Sequence, residues 1–322
     1  MRFVVLGAGA IGGTIGGRLA DAGHDVLLVA RGAHLKALQD NGIRLAMPDR
    51  VIERHIPATG VQDLDLDADD VLVIATKVQD ADALLSQVAV QCDGTLPVVC
   101  AQNGVAGERL ALRRFDRVYG MCVMLPATHL EPGRIVAAGT PYSGLLDVGR
   151  YPAGRDETAE AVAEALGHSG FGSTVRDEIM PWKWAKLLRN VGNAIQVLLG
   201  DDREEDVAGD LDRRARAEAE AVLTAAGIPW TPDDEWDEFR RDRLRLARVE
   251  GEKRGGGSSW QSAARGLPTV ESDYLNGEIA LLGRLHGLPT PVNTLLQREA
   301  NALVSRGDPP GSVSAADLLA RL

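Results

Sequence analysis

The amino-acid sequence predicts an α/β domain built on a parallel sheet, followed by an all-α domain. Three observations carry that expectation. Short apolar runs alternate with helical patterns through the first half, a glycine-rich turn joins the first run to the first helix, and the strand signal disappears after about Met180. Continuous apolar runs are what strands need when helices cover both faces of their sheet.

In chain order, "RFVVLG" opens the first strand and a helical pattern follows through Arg18 and Ala22. "DVLLVA" and a second helix ending before Gly42 come next, then the apolar runs "DVLVIAT" and "LPVVCAQ". Between residues 115 and 150, "RVYGMCVML", "GRIVAAG" and "SGLLDVG" read as strands separated by Gly and Pro turns, and a βα-like piece covers 156 to 176. Helical patterns then cover 182–199, 210–226, 233–253, 269–286 and 291–305, with "EKRGGGSSW" as a glycine and serine loop between helices. The change of composition sets the expected boundary: residues 1–178 form the first domain and 179–322 the second.

The chain of 322 residues, 45% hydrophobic and 25% charged, is ordinary for a globular protein of two domains. Its 35 basic and 46 acidic side chains give a net charge of -11, which repels a phosphate backbone or an anionic membrane surface, so nucleic acid and membranes are not expected partners. Cys92, Cys100 and Cys122 have neither CxxC nor zinc-ligand spacing, so no metal or disulfide framework is expected. The opening "MRFVVLGAGAIGG" enters a strand at once rather than a signal peptide, and a cytoplasmic protein is the expectation.

Gly7, Gly9 and Gly12 form G-x-G-x-x-G, with Ala10 and Ile11 between the last two, directly after a strand and before a helix. The first glycine permits a tight turn, the second lets backbone approach a pyrophosphate, and the third lets helix and strand pack closely. Amides at the helix N-terminus then meet the phosphate charge, as in a Rossmann-type dinucleotide-binding domain. NAD sites place an acid about 20 residues on for the ribose hydroxyl, whereas NADP sites offer a cation. Here the second strand ends at Arg31 and no acid appears until Asp40, which favours NADPH. Thr76 with Lys77, and Gln102 with Asn103, also follow strand ends, where an open α/β sheet binds its ligand.

The stretch "WKWAKLLRNVGNAIQVLLG", 182–200, reads as one helix, with Trp184, Leu187, Leu188, Val191, Ile195, Leu198 and Leu199 on one side. Its other side collects Lys186, Asn190 and Asn193, although Asn and Gly each cost roughly 0.5–1 kcal/mol in a helix relative to Ala. Lys186 and Asn190, four apart, project together. A cation with amide donors aimed at a carbonyl oxygen stabilises the charge that ketone reduction builds there.

"GAGAIGG", Arg31, "TKVQD", "QNGV", "WAKLLRNVGNA" and "ESDYLNGEI" together resemble the ketopantoate reductases, or 2-dehydropantoate 2-reductases, over nearly the whole chain. The resemblance implies a Rossmann-type domain that binds NADPH, a helical domain that closes over it, and a small 2-oxo acid reduced between them. It casts Lys186 as the general acid, Asn103 as the group beside nicotinamide and substrate, and Glu271 as the acid that orients substrate hydroxyl and lysine. It casts Asn190 as a substrate hydrogen-bond donor, with Asn193 beyond it and Ser258 or Ser259 near the substrate carboxylate. Gly7, Gly9, Ala10, Ile11, Gly12, Arg31, Lys77, Asn103 and Glu271 are then the coenzyme-binding set. The pattern departs at "NVGNA", which places Asn193 three rather than four residues after Asn190, at "SSWQSAARG", where the family often has an aspartate near Ser262, and at "PTVESDY", one residue longer than usual. Reduction of a different 2-oxo acid on the same scaffold and a non-catalytic NADPH-sensing regulator are the alternative functions, and a homodimer is compatible with a helical domain of this size.

Overall fold

The computed structural model describes residues 1–200, 205–252 and 256–322; residues 253–255, inside the expected "EKRGGGSSW" loop, lie outside the described residues. The strands are β1 Arg2–Leu6, β2 Asp25–Val29, β3 Ile43–Ala46, β4 Val51–Arg54, β5 Ala58–Thr59, β6 Asp70–Ile74, β7 Val98–Cys100, β8 Val118–Met124, β9 Ala127–Glu131, β10 Arg134–Ala137, β11 Gly139–Pro141, β12 Leu145–Arg150 and β13 Leu244–Leu246. The helices are α1 Ala10–Asp21, α2 Gly32–Asn41, α3 Val78–Ala89, α4 Gly107–Ala111, α5 Glu157–His168, α6 Met180–Asn190, α7 Asn193–Leu199, α8 Glu205–Ala225, α9 Asp233–Arg240, α10 Ser258–Ala264, α11 Asn276–His286, α12 Pro291–Arg306 and α13 Ala315–Leu319.

The chain packs as two compact units, Met1–Lys183 with Thr231–Arg254, and Trp184–Trp230 with Gly255–Leu322. Unit 1 is organised by a seven-stranded sheet of order β12-β8-β7-β6-β1-β2-β5, parallel except for β12. Side chains of β1 alternate between its faces. Phe3 and Val5 pack with Ile15, Leu19 and Leu166 from α1 and α5, whereas Val4 and Leu6 pack with Leu85 and Phe115 on the side of α3 and α4. Burial on both faces is why these strands are apolar throughout. A four-stranded sheet, β4-β3-β10-β9, lies against α1. The order of the main sheet reverses between β1 and β6, and ligands of open α/β sheets bind at such a switch point.

Three expectations from the sequence are corrected. Residues 233–253 do not form one helix: α9 ends at Arg240, and β13 pairs antiparallel with β11. Strand structure therefore recurs after Met180. This segment joins unit 1 through an aromatic cluster in which Trp182 stacks on Trp236 at 5.9 Å and meets Phe239 at 4.8 Å, with the Arg176 guanidinium 4.0 Å above the Trp182 ring. The helix expected over 182–199 is interrupted at Val191 and Gly192, and the one expected over 269–286 divides into a tight turn, Glu271–Tyr274, and α11. Unit 2 is all-α among the described residues.

Candidate active site

In unit 1 the turn after β1 supports the role expected of its glycines. Gly7 has φ +104°, and a Cβ there would lie 2.7 Å from Thr76 Cγ2 and 2.8 Å from its amide nitrogen. A Cβ on Gly12 would lie 2.1 Å from the Gly7 carbonyl oxygen. The fold itself therefore demands both residues. Gly9 is different: its φ of -71° suits any residue, and an added Cβ would meet only His129 Nδ1, at 3.8 Å. A bare position that the fold does not require fits a pyrophosphate approaching the backbone. Ala10 and Ile11, both half-buried, form the first turn of α1 behind it.

The ends of β6 and β7 meet this turn. Thr76 touches Gly7, and Gln102 Nε2 donates to the Thr76 carbonyl at 2.8 Å, so the Thr76–Lys77 and Gln102–Asn103 segments are held together. Lys77 caps α3 and, like Asn103, is half-buried. The Thr76 hydroxyl and Gln102 Oε1 are buried without a hydrogen-bond partner among the described residues, which fits a polar ligand on this side. Arg31 occupies the N-cap position of α2 with an 89% exposed side chain, which makes an exposed ion pair with Asp80 at 3.3 Å. Such a pair contributes about 0–1 kcal/mol, leaving the guanidinium ready for a stronger anion. The acid that reaches Arg31 is Asp80, from α3.

A second polar group beneath this site was missed. The Lys183 ammonium pairs with the Glu108 carboxylate, the two side chains 2% and 0% exposed. Lys183 Nζ also donates to the carbonyls of Gln102 at 3.1 Å and Met121 at 3.4 Å, fixing the backbone that leads into Asn103. Burial above all, then the Glu108 carboxylate, raises the Cys100 thiol well above its ordinary value. The signal in the sequence was a lysine four residues before Leu187 on an otherwise apolar stripe.

Unit 2 carries the other candidates. Lys186 and Asn190 lie on the half-buried face of α6, while Leu187 and Leu188 fill the core. The interruption after Asn190 is built into the packing. Ile195 N–H bonds the Gly192 carbonyl rather than that of Val191, and the Val191 carbonyl instead accepts from Asn276 Nδ2 at 2.9 Å. A Cβ on Gly192 would lie 2.1 Å from Asp212 Oδ1, so any side chain there would have to turn that carboxylate aside. Asn193 thus starts a new helix, α7, and does not continue the face of α6 that carries Lys186 and Asn190. α10 packs on α7: Gly257 N–H donates to Gln196 Oε1 at 3.0 Å, and a Cβ on Gly257 would lie 4.0 Å from Asn193 Oδ1. Asn193 and the Gly257–Ser258 turn are therefore neighbours. Ser258 is half-buried, whereas Ser259 is 1% exposed and its hydroxyl has no hydrogen-bond partner among the described residues. Glu271 is 4% exposed at the start of a turn held by Asp273, which accepts from Gln297 Nε2 at 2.8 Å and Asn301 Nδ2 at 2.7 Å.

Among the described residues no group of three or more His, Cys, Asp or Glu could hold a metal ion, no disulfide joins the three cysteines, and no helix is long and apolar enough to cross a membrane.

The models of two protein families match the chain in order: Ketopantoate reductase PanE/ApbA over residues 3–153, and Ketopantoate reductase PanE/ApbA C terminal over residues 178–304. A 2-dehydropantoate 2-reductase of Mesorhizobium japonicum is 31% identical over 338 residues, covering 95% of this chain and 99% of its own. One from Pyrococcus horikoshii is 28% identical over 312 residues, with the same 95% and 99% coverage. The crystal structure of a PanE/ApbA family ketopantoate reductase from Ralstonia eutropha JMP134 superposes with TM-score 0.77 at 25% identity, over 95% of this chain and 99% of that one. D-mandelate dehydrogenase, solved with NADH and anilino(oxo)acetate, shares the fold at TM-score 0.80 and 20% identity, with 95% and 99% covered.

Proposed function

Since this chain belongs to the ketopantoate reductase family, we propose that it is an NADP-dependent cytoplasmic oxidoreductase that reduces 2-dehydropantoate to pantoate. The observation that carries the reading is Lys186 and Asn190 one turn apart on the half-buried face of α6, in a chain whose Gly9 is bare without any demand from the fold. When bound, NADPH supplies the hydride. The residues of this chain bind, orient and protonate.

The amides at the start of α1 would hold the pyrophosphate, Arg31 would hold the 2'-phosphate, and Lys77 would supply further positive charge to the coenzyme. Lys186 Nζ gives a proton to the carbonyl oxygen as negative charge develops there, and Asn190 donates a hydrogen bond to the same substrate. Asn103, whose backbone is held through the Gln102 carbonyl, would lie beside the reacting carbon. Glu271 orients the substrate hydroxyl and the lysine. Asn193 and the hydroxyls of Ser258 and Ser259 bind the other end of the acid, and the buried Ser259 hydroxyl, without a hydrogen-bond partner among the described residues, supports that role. A homodimer belongs to the same reading.

The test is NADPH oxidation with 2-dehydropantoate against a panel of branched and linear 2-oxo acids. A site that bonds a substrate hydroxyl should reject analogues lacking it by orders of magnitude in kcat/KM. Lys186→Ala should abolish turnover while leaving NADPH affinity nearly intact, and a variant that turns over normally would remove the lysine from the chemistry. Tight NADPH binding with no oxidation by any oxo acid would favour a coenzyme-sensing regulator instead.

A further inference from the structure

The imidazole of His34 has no part in the reaction described above, yet it touches the coenzyme-binding turn. It lies on α2, three residues after Arg31. Its Nε2 is 2.7 Å from the carbonyl oxygen of Ala8, between Gly7 and Gly9, and its Nδ1 is 3.0 Å from the amide nitrogen of Gly133. An amide N–H can only donate and a carbonyl can only accept, so Nδ1 carries the lone pair and Nε2 the proton. The ring is a neutral imidazole in one tautomer, with both nitrogens engaged. The His129 ring packs on it with centroids 4.3 Å apart.

In a trans peptide the C=O and the following N–H point in opposite directions. By holding the Ala8 carbonyl toward α2, His34 leaves the Gly9 N–H pointing away from α2. A dinucleotide needs this peptide in one orientation, because the flipped peptide would present a carbonyl oxygen to a phosphate. We infer that His34 is a positioning residue that sets the orientation of the Ala8–Gly9 peptide for a pyrophosphate and so raises affinity for the coenzyme. The inference rests on the NADPH reading and deepens it, and it joins the Arg31 end of α2 to the glycine turn.

Three variants separate the two hydrogen bonds. A glutamine at 34 can place its amide N–H near the position of Nε2 and keep the Ala8 link. An asparagine can place its oxygen near Nδ1 and keep only the Gly133 link, and a leucine keeps neither. NADPH dissociation constants by fluorescence titration should rise by up to about tenfold for His34→Asn and His34→Leu, the most that loss of one half-buried hydrogen bond implies, and stay within about threefold of wild type for His34→Gln. With NADPH saturating, kcat and the KM for the 2-oxo acid should not change. Wild-type affinity in His34→Leu, or a loss in His34→Gln as large as in His34→Leu, would overturn the inference. Absence of NADPH binding by the wild type would instead bring down the coenzyme reading, and this inference with it. Should the variants not fold, the nitrogen-15 spectrum of the wild-type imidazole remains decisive: the Nε2–H tautomer is expected, and an Nδ1–H tautomer or a cation would refute the arrangement.

Discussion

Removing one partner of the Lys183–Glu108 pair should be among the most damaging single changes to unit 1. With side chains 2% and 0% exposed, neither charge reaches solvent. Breaking a buried pair from one side typically costs about 3–5 kcal/mol, because the remaining charge is left without compensation. The two halves are not equivalent. In Glu108→Gln the ammonium keeps the carbonyls of Gln102 and Met121, and the new amide oxygen can still accept from it. In Lys183→Met the carboxylate is stranded, since neither of its oxygens has a hydrogen-bond partner among the described residues besides its ionic contact with Lys183. Lys183→Met should therefore fall at the upper end of that range and Glu108→Gln below it. Replacing both by apolar residues of similar volume, Lys183→Met with Glu108→Leu, should recover most of the loss. For a unit of this size each kcal/mol moves the midpoint by about 2–4 °C, so Lys183→Met should melt roughly 10 °C or more below wild type. Thermal and urea unfolding of the four proteins of the double-mutant cycle, including Glu108→Leu, measure this directly. A Lys183→Met protein within 1 kcal/mol of wild type (roughly one mutational increment), or single losses that simply add in the double variant, would refute the reasoning.

Gly7 and Gly9 should separate folding from binding. Gly7→Ala meets Thr76 at 2.7 Å in a backbone conformation unsuited to a side chain and should destabilise unit 1, whereas Gly9→Ala should keep its thermal midpoint and lose NADPH affinity in a direct titration. Gly192→Ala pushes a methyl group to 2.1 Å from Asp212 Oδ1, and turning that carboxylate aside should cost about 1–3 kcal/mol. Its KM for the 2-oxo acid should rise while its NADPH dissociation constant stays unchanged. Asp147, 2% exposed and bonded by Arg176 Nε at 2.7 Å, has its carboxyl raised above the ordinary 3.8, burial outweighing the arginine. A raised carboxyl contributes stability that is present below its unfolded value and is lost as pH rises through its folded value. The unfolding free energy of wild type minus that of Asp147→Asn should therefore fall as pH rises from 3.8 through the folded value, and a difference that grows with pH would contradict this sign.

The turn after β1, the strand ends at Thr76 and Gln102, and the shared face of Lys186 and Asn190 were all legible because each is a local pattern. A glycine spacing directly after an apolar run, or two polar residues four apart on a helix, specifies its own geometry within a few residues. The same logic failed for 233–253. Its periodicity suggests a helix, but β13 is made by pairing with β11, about a hundred residues earlier in the chain. Trp236 and Phe239 likewise find their partner in Trp182.

By itself, the sequence determined the layered α/β plan, the place of the glycine turn after β1 and the helix that carries Lys186, since hydrophobic period and glycine spacing act over one or two turns of chain. Tertiary structure alone decided that α6 stops at Asn190, that Lys183 pairs with Glu108, and that His34 grips Ala8 while accepting from Gly133, 99 residues away. Each of these depends on a buried donor or acceptor finding a partner across the fold. Which partner it finds is fixed by packing, because a buried polar group must be satisfied wherever the chain has brought a complement within about 3 Å.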